Sequence, residues 1–304
     1  MPQSLVECVA NFSEGRDAEV VGRIAAGIRS VAGVILLDRH MDADHNRSVI
    51  TFAGSPDAVV EGALGGVQRA VALIDLSRHN GVHPRIGAAD VVPFVPLKGV
   101  TLEDCARLAV QAGEEIWRRF GVPVYLYEAA ARRPERVNLA SVRRGQFEGL
   151  RERARIDPES GPDIGGPDPH PTAGATAVGA RSFLIAYNVN LDTPDVEIAR
   201  RIARRIRQSS GGFPGIKAMG VVLASRGFAQ VTMNLTDFEH TLLDRVFEAI
   251  EAEAARGGVK IASTEIVGLI PREAFDLAPR FFLRAENFRD DVILENRLAA
   301  LQSG

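Results

Sequence analysis

The same order of apolar segments occurs twice in this 304-residue chain, and that repetition constrains the fold more than any other feature. In the first half, residues 4–10 are a short run of strand formers, and residues 17–30 carry Val20, Val21, Ile24 and Ile28 at helical spacing. Residues 33–40 and 48–54 read as two further strands. Ser55-Pro56 then opens a helix, a capping residue followed by the helical position that tolerates proline. Val60, Ala63, Val67, Val71 and Ile74 continue its stripe. Gly62, Gly65 and Gly66 each cost roughly 1 kcal/mol inside such a helix, so close packing against a sheet is expected there. Residues 90–97 form a fourth strand, whose prolines suggest an edge or a bulge. Thr101 starts a long helix with Leu102, Cys105, Ala109, Ala112, Ile116 and Phe120 on its buried face, and residues 123–129 are another strand.

The second half follows suit. Residues 182–190 are a strand, and Thr193-Pro194 starts a helix carrying Val196, Ala199, Ile202, Ala203 and Ile206. Two strands, 217–224 and 228–235, flank Ser225-Arg226-Gly227 as a hairpin. Thr236 and Glu239 have capping-box spacing before Leu242, Leu243, Val246, Phe247 and Ile250, and residues 260–270 are the last strand. Each half contains the order β-α-β-β-α-β. The expected fold is therefore α/β (α+β), two ferredoxin-like subdomains at residues 1–180 and 181–304 with a ligand groove between them. Residues 156–181 carry five prolines and five glycines, which exclude a helix interior or a central strand. A plain linker is one reading. The length, and the mixing of rigid prolines with glycines, favour a ligand-binding loop.

Composition removes several function classes. A 46% apolar and 25% charged chain of net charge −3 is not a disordered one, nor a general nucleic-acid binder. No run approaches the roughly 18 apolar residues of a membrane helix, and the first residues lack the pattern of a secretory leader. Cys8 and Cys105 form neither a disulfide framework nor a zinc motif, which fits a reducing cytoplasm. Lys98, Lys217 and Lys260 are the only lysines among 36 cations. The arginines gather at Arg132, Arg133, Arg136, Arg143, Arg144, Arg151, Arg153 and Arg155, and again at Arg200, Arg201, Arg204, Arg205 and Arg207. They are either solvated helix faces or a carboxylate- or phosphate-binding field. Arg200/Arg204 and Arg201/Arg205 are adjacent on a helix and repel unless acidic partners lie nearby.

Three polar stretches interrupt the apolar pattern. Asn11-Phe12-Ser13-Glu14-Gly15-Arg16 follows the first strand, where ligands commonly bind, although a turn and helix cap explains it equally. Asp38 to Arg47 joins two strands with His40, His45 and three aspartates. The types suit zinc or iron, but the spacing matches no short metal motif. Ser77 to Asp90 holds His79 and His83, four apart as in a helical zinc pair, yet Gly81, Pro84 and Gly87 break any helix. A loop histidine suits proton transfer near neutral pH, and one of the two fits as a bond holding the loop together. No phosphate-binding P-loop, nucleophile elbow or dinucleotide glycine motif is present.

The blocks LVECVANFSEG, DADHNRSVITFAG, VVEGAL, LIDLSRHNGVHPRIGAADVVPFVP, VPVYLYEAAA and GARSFLIAYNVNL together resemble the glutamate formimidoyltransferase family, from about Leu5 to about Ile270. The resemblance implies transfer of a formimidoyl group from N-formimidoyl-L-glutamate to N5 of tetrahydrofolate, in histidine degradation and one-carbon metabolism. It implies a two-part fold, folate as co-substrate in an electropositive groove between the halves, no metal, a cytoplasmic homodimer, and no nucleic-acid or membrane partner. The family's catalytic histidine is the second in R-H-x-G-x-H-P-R, which is His83 here. Its folate-binding loop falls on Ile164, Gly165, Gly166, Pro167, Asp168, Pro169, His170, Pro171, Thr172 and Ala173, with residues 167–171 departing from the mammalian loop. Arg47 and Arg85 are candidates for the glutamate carboxylates, by residue type and position, with a structural ion pair as the alternative for each. Ending at Gly304, the chain is expected to carry no cyclodeaminase half. Two rival readings remain: formyl transfer from N-formylglutamate, and folate binding without turnover.

Overall fold

A computed structural model describes residues 4–302 of the chain, without the side chains of Arg151, Arg155, Pro158 and Gln302. It divides into two compact units, Met1–Ser182 and Phe183–Gly304. The fold is mixed α/β with one sheet in each unit.

The first unit runs β1 (Leu5–Phe12), α1 (Ala18–Arg29), β2 (Ile35–Asp42), β3 (Arg47–Gly54), α2 (Pro56–Leu73), β4 (Ala89–Lys98), α3 (Leu102–Phe120), β5 (Val124–Glu128), α4 (Leu139–Val142), α5 (Gln146–Ile156) and β6 (Thr176–Ala180). Its sheet has the order β2-β3-β1-β4-β6-β5. β1 is antiparallel to β3 and β4, whereas β4, β6 and β5 are parallel. Strand alternation sorts the side chains. Val6, Cys8, Ala10 and Phe12 of β1 share one buried cluster with residues of α1, α2 and α3. On the other face Val91, Tyr125, Tyr127 and Ala177 cluster with Val142 of α4 and Leu150 of α5. Both cysteines are free and buried.

Local signals set the helix starts. Ser55 caps α2 with Pro56 in its first turn, and Thr101 with Asp104 completes a capping box on α3. The α2 glycines divide between two surfaces. Gly62 faces Phe52 on the sheet, as expected, but a Cβ on Gly65 would lie 2.6 Å from the Gly27 carbonyl oxygen, so α1 and α2 meet backbone to backbone there.

The structure corrects two sequence readings and decides between the alternatives of a third. Residues 156–181 do contain a central strand, β6, lying between β4 and β5. Its residues are small because the ring of Tyr127 fills the space a larger side chain at Gly179 would need. Of the two readings of β4, edge or bulge, the bulge holds: the strand is an inner one, and its ladder with β1 shifts register beside Pro96, which absorbs a missing N–H. The capping box at Thr236 and Glu239 does not form. The Thr236 hydroxyl instead donates to Gly215 O, 2.9 Å away, and the next helix starts later, at Leu243.

The second unit comprises β7 (Ile185–Leu191), α6 (Val196–Ile206), β8 (Ile216–Leu223), β9 (Phe228–Leu235), α7 (Leu243–Arg256) and β10 (Ile261–Val267), followed by three short helices, α8 (Arg272–Leu277), α9 (Pro279–Phe282) and α10 (Leu294–Gln302). Its antiparallel sheet has the order β10-β7-β9-β8. A separate core forms around Tyr187, Phe247, Phe281 and Phe282. The α6 arginines do have acidic neighbours: Glu253 of α7 lies 3.9 Å from Arg201 and 3.8 Å from Arg205, and Glu197 pairs with Arg200 at 2.6 Å. Among the described residues no helix is long and apolar enough to cross a membrane.

Candidate active site

Strand pairing brings the three polar stretches to one end of the first sheet. Asn11 and Phe12 close β1 opposite Val49 and Ser48, Asp42 ends β2 opposite Arg47, and Ala89 begins β4 opposite Phe12. The turn between β2 and β3 is drawn inward by side chains. Asn46, at φ 46°, accepts from Gly15 N at 3.0 Å and donates to Asn80 O at 3.0 Å. Ser13 donates to Gly87 O at 2.7 Å.

The proline- and glycine-rich segment is tied to the same place. Leu76 N donates to Thr172 O at 2.8 Å, Ala88 N to Ala173 O at 2.9 Å, and Ala175 N to Ile86 O at 2.9 Å. His170 Nδ1 accepts from Ala173 N at 3.0 Å and closes the turn. Gly87 has no room for a side chain, since a Cβ there would fall 2.0 Å from Ala175 O. The other end of the segment is anchored at Ile164, which bridges to Val124, and at Gly165, which lies on the Trp117 indole. Between these ties, Pro167 and Asp168 are exposed. The loop of His83 and the segment 164–173 are thus brought together, although about eighty residues apart in sequence.

The two histidines have different surroundings. His83 is half-buried, and its Nε2 lies 2.9 Å from a guanidinium nitrogen of Arg47. Arginine can only donate, so Nε2 is the acceptor and the ring is the neutral Nδ1–H form. Burial, then Arg47, Arg143 and His45, hold the His83 pKa well below its ordinary value. Such a histidine is uncharged at neutral pH, with its Nε2 lone pair engaged by Arg47. His79 is a brace. Arg85 Nε donates to its Nδ1 at 3.1 Å, so its Nε2–H donates to Asn46 O at 2.9 Å.

The arginines also part ways. Arg85 is buried and forks onto Glu148 at 2.6 and 2.8 Å, with a further bond to Gln146 at 3.1 Å. Arg143 pairs with Asp90. Arg136 pairs with Asp163 and, with Arg153, lies over the Tyr125 ring, so this part of the arginine run is internal framework. The side chains of Arg151 and Arg155 lie outside the described residues. Arg47 meets Asn11 Oδ1 at 3.3 Å and His83, with no carboxylate in ion-pair reach among the described residues. Burial, with Arg143 nearby, pulls its pKa down to about 10.

The metal-like group at the hairpin has other uses. His45 pairs with Asp42 at 3.0 Å. Burial opposes ionisation of Asp42, but the His45 ring and N–H hold its carboxyl well below the usual range. Among the described residues no three ligating side chains converge. A cavity of about 240 Å³ lined by Gly27, Glu61, Arg69 and Arg119 contains none of the groups around His83.

Comparison with known proteins gives this geometry a context. Residues 5–181 match the model of the formiminotransferase domain, N-terminal subdomain, and residues 186–300 that of the formiminotransferase domain. The chain belongs to the formiminotransferase family. It is 47% identical over 295 residues to the glutamate formimidoyltransferase of Streptococcus pyogenes serotype M1, covering 97% of this chain and 98% of that one. With the glutamate formimidoyltransferase of Thermoplasma acidophilum it shares 44% identity over 300 residues, covering 97% of each. It is 43% identical over 289 residues to the formimidoyltransferase-cyclodeaminase of Sus scrofa, matching 93% of this chain and 53% of that longer protein. Sequence reading named His83, Arg47 and Arg85 in this region, but not Glu148 or Gln146 as partners of Arg85, nor the pairing of Arg143 with Asp90. Their partners lie 53 to 63 residues away, where no local spacing could show them.

Proposed function

We infer that this chain transfers the formimidoyl group of N-formimidoyl-L-glutamate to N5 of tetrahydrofolate, with His83 moving the proton. The observation that carries the reading is the neutral His83 ring with an acceptor Nε2, set in a loop bonded to the segment 164–173. N5 attacks the amidine carbon, and the new N5–C bond gives a tetrahedral intermediate. His83 Nε2 takes the proton N5 must lose. The resulting imidazolium returns it to the glutamate nitrogen as the C–N bond breaks, releasing glutamate. One residue acts as base and then as acid, with no covalent enzyme intermediate and no metal.

Folate is assigned to residues 164–173, whose anchored ends and exposed middle allow a flat ring to approach backbone closely. Of the two candidate arginines, Arg47 takes the donor carboxylate, because Arg85 already holds Glu148. The ferredoxin-like classification of the two units, supported by their strand orders, and a cytoplasmic homodimer belong to the same reading. Formimidoyl rather than formyl transfer follows the names of the relatives. His83→Ala is expected to keep the fold and folate binding while losing about 10²–10⁴-fold in turnover. Retention of more than about a tenth of wild-type turnover would remove His83 from the role.

A further inference from the structure

Resting on that reading of His83, we propose that Arg47 masks the base until the donor arrives. In the free protein its guanidinium donates to His83 Nε2. A carboxylate of N-formimidoylglutamate draws the guanidinium away and bares the lone pair.

Three observations carry this. First, the hydrogen bond at 2.9 Å occupies the same nitrogen that must receive the N5 proton, since Nδ1 carries the hydrogen of the neutral ring. A base whose lone pair already accepts from a cation cannot also accept a proton, so that bond must break before turnover. Second, among the described residues Arg47 has no carboxylate within ion-pair distance, Asp42 and Asp90 acting on it only from farther away. Arg85 holds Glu148 and Arg143 holds Asp90, whereas Arg47 makes only the bonds to Asn11 and His83 among the described residues. Its remaining N–H groups are uncommitted, and a partly buried guanidinium favours a bidentate anion over a neutral imidazole. Third, Arg47 opens β3 directly opposite Asp42, so its backbone is fixed by the ladder and only the side chain needs to swing.

The charges facing His83 set the sign of the effect. Arg47 comes from β3, Arg143 from the end of α4, and His45 from the hairpin with its ring 6.1 Å away. Asp90 is engaged by Arg143 and Asp42 by His45. Cations therefore dominate in the free protein and disfavour protonation of His83. A donor carboxylate on Arg47 cancels one of them, so the His83 pKa rises in the complex. The base becomes stronger only when its substrate is present.

Two measurements test this. With folate saturating, the acidic limb of kcat is expected at higher pH than the acidic limb of kcat/KM for the donor, because the two report the bound and the free protein. In Arg47→Gln the limbs should coincide and donor KM should rise about tenfold or more. Arg47→Lys, which keeps a charge but not the fork, should recover part of the KM. Independently, the His83 ring nitrogens of the wild-type chain can be followed by NMR with N-formimidoylglutamate and no folate. Nε2 should shift from a hydrogen-bonded to a free acceptor. Coincident limbs in the wild type, or an Nε2 signal unmoved by saturating donor, would overturn the masking. Neither result touches the base assignment, which stands or falls with His83→Ala.

Discussion

Arg85 shows how a residue read correctly by type can serve in another way. Its guanidinium and its neighbour His79 join the turn at Asn46 to the start of α5, so it braces the His83 loop. Gln146 accepts from it while sitting at φ 53°, a left-handed conformation that a non-glycine residue adopts only when its surroundings hold it there. Arg85 is buried but Glu148 is 63% exposed, so the pair lies between the surface and buried limits. Arg85→Ala is expected to cost about 1–3 kcal/mol of stability by urea unfolding. Adding Glu148→Ala to it should cost little more, whereas two independent residues would add their effects. In the sequence, His79 and His83 looked alike, four residues apart in one loop. The family block singles out the second, and the distant partners, Asn46 and Arg85 for His79 and Arg47 for His83, give the two rings different surroundings.

Elements with bulky periodic residues were legible, because burial of a stripe or an alternating face leaves its mark in the sequence. β1, β3, α2 and α3 fall close to where apolar spacing puts them. β6 was hidden for the opposite reason. Thr176, Ala177, Val178, Gly179 and Ala180 are mostly small, since Tyr127 on β5 supplies the bulk, and prolines just upstream suggested a loop. The helix α5 was obscured by arginines read as surface, of which Arg153 covers Tyr125, as Arg136 ahead of α4 also does. Gly179→Ala tests the packing of β6: its Cβ would sit 2.4 Å from Tyr127 O and 2.5 Å from the ring. The variant is expected to lose about 1–3 kcal/mol in urea unfolding. Truncating the ring as well, with Tyr127→Ala, should not restore it, because the carbonyl oxygen remains.

At the scale of the whole chain, every group named around His83 precedes residue 183, and the second unit has its own aromatic core. Phe281 packs on Tyr187 at 4.4 Å and on Phe282 at 5.2 Å between ring centroids. Phe281→Ala should cost the second unit about 3–5 kcal/mol, seen as a lower urea midpoint for Tyr187 than for the His83 ring when both are followed by NMR. The order of strands has a kinetic consequence. The last strand of the first unit to be synthesised, β6, is an inner one, and β5, made about fifty residues earlier, pairs in the sheet through it. A loop of that length must close before β5 has a strand partner beyond the bridge of Val124 to Ile164, and such closures slow folding. Until then most of the segment VYLYE lacks its ladder partner on the growing chain, so the most vulnerable moment for this protein falls between the synthesis of β5 and the arrival of the small-residue strand that pairs with it.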